Sequence, residues 1–188
     1  MPLGPLPLKS LRRRFRRFVG DRRALAALEF ALIAPMMVTT LFGSIEITEL
    51  MACNRRAENT AASVADVVSR DTELTTEEID DLWAAAGALM YPNTVTPLQM
   101  RVSSVQIISA TDARVLWSDG HNGYNPRADG DRVDLPEGMM IPGTSVIMAE
   151  AYYRYVPPIG VFLDLALDLR HVEYRRPRIA DPVLRDDD

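Results

Sequence analysis

Cysteine occurs once in these 188 residues, at Cys53, and histidine twice, at His121 and His171. One thiol excludes an intramolecular disulfide and any zinc site built on cysteines. His121 stands in a polar stretch and His171 among arginines, and each reads as a surface or structural residue rather than a ligand. GxSxG, HExxH, the P-loop and GxGxxG are all missing. Internal repeats are missing as well. The chain therefore reads as a protein without catalytic machinery, and no cofactor or metal is expected. Aromatic residues make up only 7%. Trp83 and Trp117 are expected in a core, and Tyr152, Tyr153 and Tyr155 in the packing of a sheet.

What is present is unevenly distributed. The formal net charge is −5, but the first 24 residues hold eight basic side chains and one acid, leaving −12 on the remainder. A basic arm on an acidic body points to two environments. Residues 1–23, with Pro2, Pro5, Pro7 and the cluster "LRRRFRRF", read as a basic leader. From Ala24 to Ile45 the only ionisable residue is Glu29. Twenty-two helical residues reach about 33 Å, enough for a hydrocarbon core of about 30 Å. Residues 24–45 thus form a transmembrane segment. The arginine bias places the leader in the cytoplasm and the rest of the chain across the membrane. Anionic lipid headgroups, not nucleic acid, are the expected contacts of the leader.

Pro35 lacks an amide proton and should kink the segment without ending it. The helical pattern continues past the membrane through residues 46–70, where Ala57, Ala61, Val64 and Val68 recur at spacings of three and four. One helix from about residue 22 to 70 is predicted. Residues 71–188 form the exported domain. "TTEEIDDLWAAAGALM" opens on a capping box, Thr75 with Glu78, and presents Ile79, Leu82, Trp83 and Ala86 on one face before Pro92. "LQMRVSSVQII" (98–108) and "ARVLWS" (113–118) read as a hairpin, "SVIMAEAYYRYV" (145–156) as the clearest strand, and "RHVEYRRPR" (170–178) as a last one. "IGVFLDLALDL" is readable as a short helix or an apolar turn. Residues 119–144 read as a surface loop. Asp119, Asp129, Asp131, Asp134 and Glu137 there do not match an EF-hand, so solvation is expected rather than calcium. The fold class is α+β: a long N-terminal transmembrane helix, a short helix and an antiparallel sheet of about four strands.

Simpler accounts of the N-terminus leave something over. A plain signal anchor leaves Glu29 unexplained, at a cost of ~2 kcal/mol or more in lipid. A cleaved secretory signal has a shorter apolar core. "LMAC" (50–53) echoes a lipoprotein processing box but follows two glutamates, and "RRRF" stands too far from the apolar run for a twin-arginine signal.

"RRALAALEFALIAP" (22–35) resembles the N-terminal signature of the TadE/TadG-like proteins, pseudopilins of the tight-adherence (Flp) pilus system. That pattern is a basic segment, a small residue, four small or apolar residues, glutamate, phenylalanine, and an apolar helix containing Ala-Pro. Ala24 takes the small position, where the family usually has glycine; Glu29 and Phe30 follow on cue. The resemblance implies a prepilin-peptidase-like processing site at Ala24–Leu25 and helix docking through Glu29 and Phe30. It implies a minor pseudopilin or membrane-anchored component of pilus assembly, seated in a bacterial inner membrane with its domain in the periplasm. The implied partners are other pilus or pseudopilin subunits, inner-membrane assembly proteins and prepilin peptidase. The alternative is a signal-anchored periplasmic enzyme or binding module unrelated to pili.

Overall fold

The computed structural model describes residues 22–160 and 165–186, with side chains from Leu25 onward. The leader expectation for residues 1–21 and the middle of "IGVFLDLALDL" lie outside these residues. Helix α1 runs unbroken from Arg22 to Val68, about 70 Å at 1.5 Å per residue. Pro35 lies inside it without ending it. Hydroxyls along this stretch bond back to the helix: Thr39 Oγ1 donates to the Pro35 carbonyl at 2.8 Å, Thr40 to Met36 at 2.9 Å and Ser44 to Leu41 at 2.7 Å. Polar side chains in an apolar helix are satisfied locally in this way.

The two halves of α1 differ in what they touch. Leu25, Leu28, Phe30, Leu32, Met36 and Leu41 are all exposed. From Glu46 onward one stripe is buried, with Cys53, Ala57, Ala61, Val64, Ala65 and Val68 at its centre. Small residues at helical spacing let the helix axis lie close to a sheet.

After the two-residue strand β1 (Glu73–Leu74) comes α2 (Thr76–Leu89). Its capping box forms as expected: Glu78 N–H donates to Thr75 Oγ1 at 3.3 Å, and Thr75 N–H donates to Glu78 Oε2 at 2.9 Å. The Thr75 amide and hydroxyl, both donating to Oε2, hold the Glu78 carboxyl below its usual pKa. Ile79, Leu82, Trp83 and Ala86 are buried.

Strands β2 (Leu98–Ser109), β3 (Asp112–His121), β4 (Ser145–Tyr155) and β5 (Leu167–Arg175) make an antiparallel sheet in the order β3-β2-β4-β5. One face packs on α1 and α2 through Leu98, Met100, Val102, Ile147, Ala149, Ala151, Tyr153 and Tyr155. The other face carries a smaller core of Val105, Ile107, Ala113, Val115, Val146 and Met148, closed by Val133 from the long connection. A bulge reconciles β3 with both cores. Trp117 pairs with Ser104 but Val115 with Val105, so Leu116 is the extra residue. Trp117 and Val115 therefore fall in different cores although two residues apart, because an inserted residue reverses the alternation of sides.

Three expectations are corrected. β3 continues to His121, so the connection to β4 starts at Asn122. That connection is not all solvated loop: Val115 N–H donates to the Asp131 carbonyl and Val133 N–H to the Ala113 carbonyl, both at 2.9 Å, so part of it lies along the β3 edge. The last long strand is 167–175 rather than 170–178, and residues from Arg178 onward form a strap instead. In this strap β6 (Leu184–Arg185) pairs in parallel with β1. Arg178 N–H caps the Ser69 carbonyl at the end of α1, Asp181 accepts from the Ser145 amide, and the Val183 carbonyl accepts from Trp117 Nε1, each at 2.8 Å.

Candidate functional site

The site named by the sequence motif lies in the first turns of α1. The Ala24–Leu25 bond is in helical backbone; the Ala24 side chain is outside the described residues. Glu29 and Phe30 are exposed, Phe30 at 70%. No element of the described fold covers this part of the helix. A helix that is apolar and uncovered over about twenty residues needs lipid or other helices around it. Among the described residues one helix, Leu25–Val68, is long and apolar enough to cross a membrane, and the chain is membrane-anchored through it.

The body is fastened to the same helix from Glu46 onward. Glu46 is fully buried, and Tyr155, at the end of β4, is 3% exposed beside it. Burial, with the charges of Glu49 and Glu46, pushes the Tyr155 phenol above its ordinary pKa. Farther along, His171 on β5 and Asn54 on α1 meet at 3.0 Å between Nε2 and Oδ1. Arg56 reaches Asn93, in the connection after α2, at 2.8 Å. Asp66 accepts from Arg178 of the strap. Polar contacts thus tie the second half of α1 to β5, the α2–β2 connection and the strap, and the exposed half continues from it in one helix.

A second cluster had gone unread in the sequence. Glu150 on β4 sits on the sheet face opposite α1 with its side chain 9% exposed. Arg101 Nε donates to its Oε2 at 2.7 Å, and Arg127 NH2 reaches Oε1 at 3.0 Å. Arg101 also stacks over Tyr124, 4.4 Å from the ring centroid, and donates to the Asn125 carbonyl at 3.0 Å. Gly120 permits this close approach, since a Cβ there would stand 2.0 Å from the Tyr124 carbonyl oxygen. Burial pushes the Glu150 carboxyl up, but the hydrogen bond and charge of Arg101, joined by Arg127, hold it below its usual range. The available signal was a lone glutamate inside the apolar run "VIMAEAYY", a position where a charge needs partners. Its neighbours are all committed to the protein's own loop, so it is a strut.

The histidines are structural. His121 stacks on Trp83 with centroids 5.3 Å apart. Among the described residues no group of three or more His, Cys, Asp or Glu side chains is placed to hold a metal. Cys53, far from a processing position, is buried in the core between α1 and the sheet.

An uncovered apolar helix continuous with a small body defines a membrane-anchored α+β protein. Residues 25–66 match the model of the TadE-like protein family, and this match supports assigning the chain to that family. The matched segment coincides with α1 and takes in both its exposed and its packed half. The match points to a Tad pilus-related component. No curated protein and no solved structure matches the chain.

Proposed function

We propose that this chain is a TadE-like minor pseudopilin, or a membrane-anchored component of Tad pilus assembly. It acts through helix docking and protein–protein contacts. The observation that carries this reading is the uncovered first half of α1, which bears Glu29 and Phe30 and runs without a break into a folded body. Cleavage at Ala24–Leu25 makes Leu25 the new N-terminus, with a positive α-amino group. Glu29 of a neighbouring subunit pairs with that group. In a low-dielectric bundle an unpaired charge is strongly disfavoured, so the pairing sets the axial register of one helix against the next. Pro35 kinks the helix within the bundle, and Phe30 packs beside Glu29. The leader stays in the cytoplasm and the body is periplasmic, anchored in the inner membrane, as the arginine bias directs.

The test is the Glu29→Leu variant in the native host, together with the N-terminal mass of the native chain. The expected result is a chain beginning at Leu25 and a variant that inserts normally but no longer supports pili. Normal piliation by Glu29→Leu would overturn the docking role. A retained leader would remove the processed-subunit mechanism and leave an uncleaved assembly anchor.

A further inference from the structure

A groove of about 560 Å³ lies between α2, the connection that follows it and the last residue of β3. That volume falls within the range of about 300–1,000 Å³ usual for ligand sites. Ala84, Ala88 and Val95 line the groove with small apolar side chains, and the stacked Trp83 and His121 rings form another part of its wall. Gly87 lies in it as well. A Cβ there would stand 3.2 Å from Val95 Cγ1, so the missing side chain lets the connection pass close to the helix. From Asp80 to Ala88 the helix rises about 12 Å, which makes the groove elongated.

Three polar side chains border this apolar trough. Asp80 presents a carboxylate with no ion pair or hydrogen bond among the described residues. Asn93 gives its Oδ1 to Arg56 NH1 at 2.8 Å, which leaves the two Nδ2 protons for a guest. Tyr91 is 83% exposed, the most exposed large apolar side chain among the described residues, and its hydroxyl bonds to none of them. The Glu150 cluster is the opposite case, since its polar groups are spent on the protein's own loop. Here an acceptor, a pair of donors and an aromatic face remain open around one groove.

We infer that this groove binds an N-acetylated oligosaccharide. The apolar C–H face of a sugar ring stacks on Tyr91. Ring hydroxyls donate to the Asp80 carboxylate. An acetamido group offers its carbonyl to Asn93 Nδ2 and its methyl to the wall of Ala84, Ala88 and Val95. Two other guests fit less well. An extended peptide needs backbone partners, and the α2 amides along the groove are spent inside the helix. A cation suits Asp80 but not the Asn93 end, where the Arg56 guanidinium stands behind the amide. The inference does not depend on cleavage or on docking through Glu29.

The test titrates the full chain, solubilised in a detergent without a sugar headgroup, with chitotriose, the trimer of N-acetylglucosamine. Tryptophan emission reads the binding, because Trp83 lines the groove, while Trp117 sits in the core against Val183 and supplies a constant background. The expected result is a saturable change in emission, with Kd weakened about tenfold in Tyr91→Ala and in Asp80→Asn. Both side chains are exposed, so both variants are expected to keep the parent's unfolding midpoint. No saturable change in the unsubstituted chain would overturn the inference. Binding that both variants leave intact would overturn it too, since the sugar would then sit elsewhere. Saturation by acetyl-trialanine amide, with none by chitotriose, would assign the groove to an extended peptide and sink the saccharide reading.

Discussion

Arg101 and Glu150 face each other directly across the β2–β4 ladder, and the guanidinium Nε donates to the carboxylate at 2.7 Å. The pair lies under the connection that carries Tyr124 and Arg127, so a charge pair, not an apolar plug, holds that segment on this end of the sheet.

Removing one partner leaves buried charge behind. Glu150→Ala strands two guanidinium groups and is expected to cost about 3–5 kcal/mol. The pH dependence follows from the depressed pKa of Glu150. Its contribution is complete above the ordinary carboxylate range and is lost as pH falls through the lower folded-state value. Denaturant unfolding of the detergent-solubilised chain at a series of pH values checks both. A native-like midpoint for Glu150→Ala at neutral pH would show that the cluster is not a strut.

Cys53 offers a probe of how tightly α1 is seated. Burial raises its thiol pKa, only partly offset by Arg56, and the side chain is fully enclosed. Little thiolate and no access make a slow reaction. Maleimide labelling followed by mass spectrometry should leave the folded chain unmodified over a time that labels the denatured chain completely. Rapid labelling without denaturant would mean that α1 lifts off the sheet.

Trp117 anchors the C-terminal strap through Nε1 to the Val183 carbonyl at 2.8 Å. Trp117→Phe keeps an aromatic ring but leaves that buried acceptor without its donor, at about 1–3 kcal/mol. Limited proteolysis should cut residues 178–186 faster in the variant, with the sheet still intact. Equal cutting rates would assign the strap's stability to Arg185 and Asp181 instead.

What could be read in advance was whatever rests on local pattern. The length of α1 followed from an apolar run merging into a stripe at Ala57, Ala61, Val64 and Val68. The capping box was legible because Thr75 and Glu78 are three residues apart. The hairpin and the β4 strand followed from period-two alternation. The Glu29 motif needed no fold at all.

Contacts distant in sequence were decided only when the chain folded. The sequence around Glu150 shows that it needs partners but not which, and Arg101 and Arg127 arrive from 49 and 23 residues away. The strap has no periodicity, because two-residue strands and single backbone bonds leave none, and its course depends on the open groups of Thr72, Leu74 and Ser69. The bulge at Leu116 is set by which core each neighbour must enter, a choice local alternation cannot express. Sequence alone thus determined an anchored helix with an α+β body, since burial periodicity is a property of one segment. Tertiary structure decided which surfaces meet, because that depends on the direction in which one element packs against another.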